Sequence, residues 1–312
     1  MRFAARWGKR LGLALVVLLA AVTVVATVYD GVTSGGVSRH ALYAGPYVEV
    51  GGRELAYRTW GTHGTPIVLI GGFIVPSDAW RRVGALLGRT HRVYAVDLPP
   101  FGYSERKGPY VVATWVDEVE GFERALHIRR PTLVGHSLGA AVVVGEALRR
   151  PRALRGIVLL DGDALRAGGA PSWVASLVVD PYFTAVYRFV TGSDWIFRKG
   201  LKGAYGPAAP RLTRSDIAGW QRPFRVAGTA AAFKQMLPHG IQGWTLADLR
   251  RVHGVRTIVA WGAHDTTDDV AAGRTTAKAL RAPFVLLPRA GHLSMLVDPA
   301  GVARAVRDAA GP

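Results

Sequence analysis

The sequence predicts an α/β fold in which helices flank a mostly parallel central sheet. Short, continuous apolar segments recur along the chain, as they do in strands that are buried on both faces. Segments with the helical spacing of apolar residues alternate with them, which is typical of parallel strands joined by helices. The 312 residues are 49% hydrophobic and 20% charged, so the chain can bury a large core and does not have a disordered composition.

The individual elements follow in chain order. Gly51-Gly52 separates two short strand patterns, 47–50 and 54–60, and a glycine pair at this place is typical of a hairpin turn. The continuous apolar segments predict further strands at 66–71, 92–98, 131–136, 155–162, 256–262 and 283–288. Helical spacing predicts helices at 115–128, 138–150, 270–281 and 298–309.

Residues 163–250 interrupt this alternation. The stretch has a helical pattern without a clear buried strand, and it holds 12 of the 29 aromatic residues of the chain. We expect a helical insertion that lies as a lid over an apolar pocket. The main domain, 46–312, is therefore predicted to carry a helical cap at about 163–250.

Residues 1–30 have the pattern of a membrane anchor. Four basic residues precede the uncharged stretch 11–29, whose 19 residues would span about 28 Å as a helix, close to the hydrocarbon thickness of a bilayer. The basic side would stay in the cytoplasm, so one transmembrane helix and the linker 31–45 would hold the main domain outside it. The alternative is a signal peptide cleaved near 24–26, which would give a secreted protein.

The charge and the cysteine content exclude several kinds of site. The formal net charge is +17, but the basic residues are scattered and form no run of five, so we predict no nucleic-acid partner. Attraction to anionic lipid or cell wall stays open, as does a compositional habit of the source genome. The absence of cysteine excludes disulfides, thiolate zinc sites and a cysteine nucleophile.

A serine stands at the junction of the predicted strand 131–136 and the helix after it. The stretch GHSLG places Ser137 between Gly135 and Gly139. A sharp strand-to-helix turn strains the serine backbone and projects the hydroxyl above the sheet, and glycines on both sides remove side chains that would collide there. The positive end of the helix points at the same place. We interpret Ser137 as a nucleophile; the alternative is an ordinary helix N-cap.

A serine nucleophile needs a base, and the base needs a carboxylate that orients it. His292 follows the strand 283–288 and Asp265 follows the strand 256–262, so both stand at carboxyl ends of strands, where α/β sheets carry their active sites. Ser137, Asp265 and His292 also occur in the chain order expected for this architecture. Asp161 ends a strand as well and is the alternative acid.

Other polar residues near these positions have structural interpretations. His136 adjoins the serine, but alternation along the strand turns it away from the site. Asp268 and Asp269 are expected to cap the next helix. Asp97 and Ser104 are expected to brace the loop after their strand.

Five short motifs occur in a characteristic order and spacing: GGF (71–73), DLPPFGYS (97–104), GHSLG (135–139), WGAHD (261–265) and AGHLSMLVDP (290–299). On these motifs, residues 46–312 resemble the α/β-hydrolase superfamily. The resemblance implies a triad of Ser137, Asp265 and His292, and an oxyanion hole formed by the backbone N–H groups of Phe73 and Leu138. It also implies that the insertion is a cap domain. Many relatives have His-Gly before the oxyanion residue, where this chain has two glycines.

The resemblance implies a serine hydrolase that cleaves a carboxylic ester through an acyl-enzyme, without a metal or an organic cofactor. A serine nucleophile argues against the relatives that open epoxides or displace halide with an aspartate. The aromatic insertion and the apolar N-terminal segment favour a small-molecule or lipid ester with a hydrophobic acyl group. The alternatives are a perhydrolase or haloperoxidase-like activity, a C–C hydrolase with the same triad, and a non-catalytic binding protein.

Overall fold

In the described residues, eight strands form one sheet. The computed structural model describes residues 16–29, 31, 36–166, 179–240 and 242–311. The strands are β1 (Tyr47–Val50), β2 (Arg53–Trp60), β3 (Pro66–Ile70), β4 (Arg92–Val96), β5 (Thr132–His136), β6 (Gly156–Leu160), β7 (Arg256–Gly262) and β8 (Phe284–Leu287). They follow the order β1-β2-β4-β3-β5-β6-β7-β8, in which the first two neighbouring pairs are antiparallel and the others are parallel.

The strands confirm the predicted fold class. Every residue of β3, β5 and β6 is buried, which is why these strands read as continuous apolar segments. Gly51 and Gly52 both have positive φ in the turn between β1 and β2, as the predicted hairpin requires. The strands β4 and β6 are shorter than predicted, because Asp97 and Asp161 already belong to loops, where their carboxylates accept hydrogen bonds from other segments.

The helices lie on both faces of the sheet and beyond its edge. They are α1 (16–29), α2 (Arg39–Leu42), α3 (Arg81–Leu87), α4 (Val112–Ala125), α5 (Leu138–Arg149), α6 (Tyr182–Gly192), α7 (Asp194–Tyr205), α8 (Arg214–Gln221), α9 (Thr229–Met236), α10 (Leu246–Arg251), α11 (Val270–Leu280), α12 (Ser294–Val297) and α13 (Pro299–Ala310). One core cluster packs α4, α5, α10 and α11 against the sheet, and a second packs α3 and α13 against it.

Two helix boundaries differ from the prediction. The helix predicted at 115–128 begins at Val112, because the extended backbone of Val111 already accepts the first helical hydrogen bond, from Trp115. The last helix is preceded by the single turn α12, which the sequence pattern did not indicate. Asp298 separates the two helices and caps α13 through the backbone N–H of Gly301.

The predicted cap region is helical in its described part. Helices α6 to α9 follow β6 and precede β7 in the chain, and residues 167–178 and 241 of this region lie outside the described residues. Helix α10 also falls within 163–250, but its Leu249 is completely buried in the core cluster that covers the sheet. The described cap therefore consists of 179–240, and α10 packs with the sheet and its helices.

The N-terminal segment is described from residue 16. Residues 16–29 are helical, while 1–15, which include the four basic residues of the predicted anchor, lie outside the described residues. No helix in the described part of the chain combines the length and the apolar character that a bilayer crossing needs. The predicted transmembrane helix therefore finds no support in the described residues.

Candidate active site

Ser137 lies at a sharp turn between β5 and α5. Its φ of 51° and ψ of −120° are unfavourable for a residue with a side chain. A Cβ on Gly135 would lie 2.2 Å from the carbonyl oxygen of Gly139, and a Cβ on Gly139 would lie 2.8 Å from the carbonyl oxygen of Ile70. Both glycines are therefore required by the close packing of this turn. The Ser137 side chain makes no N-cap hydrogen bond, so the N-cap interpretation is wrong.

The loop after β3 lies directly against this turn. A Cβ on Gly72 would be 2.7 Å from Cβ of Ser137 and 2.9 Å from Nδ1 of His136, so only glycine fits here. This contact places the backbone of Phe73 next to the serine. Neither the N–H of Phe73 nor that of Leu138 donates a hydrogen bond to another described residue. Two backbone donors are thus available beside Ser137, as an oxyanion hole requires.

His292 and Asp265 form a buried pair. Nδ1 of His292 lies 2.8 Å from Oδ2 of Asp265, and the other carboxylate oxygen accepts the backbone N–H groups of Thr267 and Asp268. These bonds fix the carboxylate so that its hydrogen bond orients the imidazole and leaves Nε2 facing away from it.

The protonation of His292 depends on this pair. Burial lowers the pKa of His292, but the hydrogen bond and the negative charge of Asp265 outweigh it, with Asp161 and Asp268 acting in the same direction. The pKa of His292 is therefore raised above its ordinary value of 6.5.

The structure brings the serine turn and the His292 loop into contact. Nε2 of His136, the residue before Ser137, lies 2.7 Å from the carbonyl oxygen of His292, and the two imidazole centroids are 4.9 Å apart. Ser137 Oγ itself makes no hydrogen bond with a described residue. Hydrogen bonds between a serine and its base are often long without substrate and shorten in the complex.

Asp161 joins the two loops that carry Asp265 and His292. It accepts hydrogen bonds from the N–H of Gly262, at the end of β7, and from both the N–H and the hydroxyl of Ser294, at 2.8 to 3.2 Å. Burial raises the pKa of Asp161 to about 8, and the hydrogen bonds from Gly262 and Ser294 act against this. Asp161, weighed as an alternative acid, makes no hydrogen bond to the His292 ring, so it acts as a brace between the loops.

The bracing role of His136 was not indicated by its sequence position. Alternation predicted correctly that it is turned away from solvent, because it is completely buried beneath Trp80. Burial lowers its pKa to about 3, so the ring is neutral and can donate its Nε2 proton to the His292 carbonyl. The signal available in the sequence was only a histidine next to the serine, and its partner lies 156 residues away.

The other predicted structural roles divide into confirmed and corrected ones. Asp97 accepts the N–H groups of Ser77 and Tyr103, and the Ser104 hydroxyl donates to the Asp97 carbonyl, so both brace the loop. Asp269 caps α11 as predicted. Asp268 does not cap that helix. Its carboxyl lies in the cavity beside the serine, where burial raises its pKa to about 6.

Two different environments adjoin Ser137. A cavity of about 100 Å³ is polar on one side and is lined by Ser137, Leu138, Ala141, Gly162, Asp163, Ala164, Leu165, Arg166 and Asp268. On the other side, Phe73 contacts Phe101 and Phe233 with ring centroids 5.6 Å apart, and Phe224 and Tyr187 of the cap extend this aromatic cluster. A larger cavity of about 720 Å³ between the cap and residues 29–36 does not reach Ser137, so we assign the chemistry to the smaller one.

No cluster of three or more potential metal ligands occurs in the described ranges. The titratable groups near Ser137 are engaged with the protein: Asp265 with His292, and Asp161 with the two loop backbones. The arrangement combines a strained serine, an oriented imidazole and two backbone donors, which are the components of nucleophilic acyl transfer.

Comparison with known proteins agrees with this geometry. The model of the alpha/beta hydrolase family matches residues 67–305. The uncharacterized hydrolase YugF of Bacillus subtilis (strain 168) is 24% identical over 230 residues, which cover 73% of this chain and 83% of that protein. The 2-hydroxymuconate semialdehyde hydrolase of Pseudomonas sp. (strain CF600) is 36% identical over 102 residues, which cover 31% of this chain and 36% of that enzyme.

A similar solved structure covers nearly the whole chain. The crystal structure of a membrane phospholipase A, a bacterial virulence factor, has 26% sequence identity and a TM-score of 0.67, with 95% of this chain and 96% of that chain covered.

Proposed function

The chain belongs to the alpha/beta hydrolase family, and from this premise we propose that it is a serine hydrolase that cleaves a carboxylic ester through an acyl-enzyme. The observation that carries the proposal is the 2.8 Å hydrogen bond between Asp265 and His292 beside the strained Ser137. A buried, oriented imidazole next to a serine without a hydrogen bond has no structural purpose that we can identify. It is the arrangement that serine activation needs.

The proposed reaction has two steps. Nε2 of His292 takes the proton of Ser137 while Oγ attacks the ester carbonyl carbon, and the N–H groups of Phe73 and Leu138 stabilise the oxyanion that forms. The protonated imidazole then gives its proton to the alcohol oxygen, and the C–O bond of the ester breaks. A water molecule, deprotonated by the same histidine, attacks the acyl-enzyme and releases the carboxylic acid. Asp265 stays ionised throughout and stabilises the imidazolium.

We propose that the acyl group is hydrophobic. Phe73, whose N–H is the proposed oxyanion donor, begins an aromatic cluster that continues through Phe233 into the cap, so an acyl chain bound at the oxyanion hole would lie along aromatic rings. The likeness to a membrane phospholipase A supports a lipid ester as the substrate. The polar cavity with Asp163, Arg166 and Asp268 would then take the alcohol part of the ester.

A C–C hydrolase is the second candidate. It is favoured by the 36% identity to a 2-hydroxymuconate semialdehyde hydrolase, although the match covers only 36% of that enzyme. Such an activity would use the same serine, histidine and aspartate. A perhydrolase or haloperoxidase-like activity shares these residues too, and a non-catalytic binding protein would retain the fold without turnover.

The experiment is a substrate panel with the wild type and Ser137→Ala. The panel contains p-nitrophenyl esters from acetyl to palmitoyl, phosphatidylglycerol, 2-hydroxymuconate semialdehyde, and acetic acid with hydrogen peroxide. We expect turnover of the esters that rises with acyl length and is absent in the variant. Phe233→Ala should change the chain-length preference while acetyl ester hydrolysis persists.

The panel also separates the alternatives. Turnover of the semialdehyde alone would replace the ester proposal with the C–C hydrolase, and peroxide-dependent oxidation alone would replace it with the perhydrolase. A folded protein that turns over nothing would leave the binding protein.

We also propose that the N-terminal segment associates the protein with a membrane and that the main domain lies outside the cytoplasm. The uncharged stretch 11–29 behind basic residues supports this orientation. The alternative is secretion after cleavage near 24–26. The mass of the protein extracted from membranes distinguishes them: the full-length mass supports the anchor, and a mass that lacks the first residues up to about this site supports cleavage.

A further inference from the structure

Helix α1 is apolar on all sides and almost entirely exposed. Residues 16–29 contain no charged side chain, and eight of their valines and leucines are 47–67% exposed. Among residues 16–29, only Ala26 is buried, and Thr23 is partly covered. A helix that is hydrophobic all round needs an apolar environment on every side, and the described protein supplies it on one side only.

The cap continues this apolar exposure. Val186 and Phe189 of α6 are each 62% exposed, Val190 is 38% exposed, and Trp195 at the start of α7 is 68% exposed. We use the name apolar face for α1 together with these four cap side chains. Isolated exposed hydrophobic residues are ordinary in soluble proteins, but a set of large ones on consecutive helices marks an interaction surface.

Helix α1 and the cap form one surface. The hydroxyls of Thr23 and Tyr182 lie 2.6 Å apart and join α1 to the start of α6. Between the two helices runs a trough of about 490 Å³ that is lined by Ala21, Val22, Val25, Ala26, Tyr29, Tyr182, Ala185, Val186 and Phe189. Such a lining offers almost nothing that water can hydrogen-bond, whereas acyl chains would fill it at no polar cost.

The charge around the apolar face is positive. Residues 179–240 contain nine lysines and arginines and three aspartates, a net charge of +6. Lys199 lies over the ring of Trp195 at 5.2 Å, so a cation stands beside the most exposed aromatic side chain of the face. A tryptophan next to a lysine is the combination found where proteins meet the headgroup region of a bilayer.

We propose that the apolar face of the cap contacts a lipid bilayer that contains anionic lipid, with Phe189 and Trp195 inserted among the acyl chains and headgroups. This is a second lipid contact in addition to α1, and it would hold the cap itself against the membrane. A second copy of the chain is a poorer occupant, because it would bring another cap with a net charge of +6 against the first one. The contact does not depend on the reaction at Ser137.

The test uses the full chain, whose lack of cysteine allows a single labelled site. Phe189→Cys and, as a control, Leu286→Cys are labelled with an environment-sensitive fluorophore; Leu286 is 39% exposed on the edge strand β8 of the sheet. Each protein is reconstituted into vesicles of phosphatidylcholine alone or of equal parts phosphatidylcholine and phosphatidylglycerol, with or without nitroxide-labelled lipid. Unlabelled Phe189→Ser provides a matched binding measurement against Leu286→Ser.

The proposal predicts that nitroxide lipid quenches the label at 189 several-fold more than the label at 286, and more strongly with phosphatidylglycerol present. Phe189→Ser should weaken binding to these vesicles by about tenfold, the loss expected for one buried aromatic side chain, and Leu286→Ser should not. Equal quenching at both sites, or none at 189, overturns the lipid contact. Quenching at 189 by a nitroxide on a second copy instead of on lipid assigns the face to self-association and also overturns it. Quenching that is the same without anionic lipid refutes the role of charge.

Discussion

Gly72→Ala is the substitution that tests the oxyanion loop most sharply. The added methyl group would lie 2.7 Å from Cβ of Ser137, which is 0.7 Å inside the 3.4 Å lower limit of ordinary contact, and 3.0 Å from the backbone oxygen of His136. Neither neighbour is the end of a flexible side chain. The loop after β3 must therefore move away from the serine turn, and the N–H of Phe73 moves with it.

The size of the effect follows from that displacement. The loss of one oxyanion donor reduces kcat by about 10²–10³, and a displacement of about 1 Å at a reacting centre can cost about 10²-fold. We expect kcat/KM for a p-nitrophenyl ester to fall by about 10²-fold in Gly72→Ala. The variant should still react with a fluorophosphonate, although more slowly, because Ser137 and His292 remain.

The assay compares Gly72→Ala with Gly203→Ala, a control in helix α7. A Cβ on Gly203 meets no atom within 4 Å, so this change adds the same methyl group to open space and should leave kcat/KM unchanged. Thermal unfolding of both variants identifies any general loss of folding. Wild-type kcat/KM in a folded Gly72→Ala protein would refute the assignment of Phe73 as an oxyanion donor.

Three further predictions concern the buried pair and its brace. Since the pKa of His292 is raised above 6.5 and the neutral imidazole is the active form, kcat/KM should rise with pH through an apparent pKa above 6.5; a midpoint below 6.5 contradicts the pairing. Asp265→Asn should lower kcat by about 10⁴-fold in steady-state assays and move this midpoint down, and retention of activity would transfer the orienting role to another carboxylate. Asp161→Asn places an amide donor against the N–H donors of Gly262 and Ser294, so chemical denaturation should show a loss of about 1–3 kcal/mol together with reduced kcat, while an unchanged free energy of unfolding would show that Asp161 is not a brace.

The parts of the site that the sequence predicts best are those set by local geometry. The turn around Ser137 needs glycine at 135 and 139 because their backbones pack against neighbouring carbonyls, and this requirement is visible as a short motif. Asp265 and His292 were predicted from their places after strands, because parallel strands carry their carboxyl ends to one edge of the sheet. The structure places these two side chains in hydrogen-bond contact.

The parts that the sequence does not predict depend on contacts between distant segments. Asp161 bonds to Ser294, 133 residues later, and no local pattern distinguishes this brace from an orienting acid. Asp268 stands one residue before a true helix cap, and only the path of the loop decides that its carboxyl enters the cavity beside Ser137. Helix α10 has the same helical pattern as the cap but packs on the sheet, because Leu249 completes the core.

The central claim is that Ser137 is a nucleophile activated by His292. The most direct measurement is to treat the full chain with a fluorophosphonate and to locate the adduct by peptide mass spectrometry, beside Ser137→Ala and His292→Ala. The account predicts one adduct, on Ser137, in the wild type, none in Ser137→Ala and a strongly slowed reaction in His292→Ala. An adduct on another residue, or none on a folded wild-type protein, would contradict it.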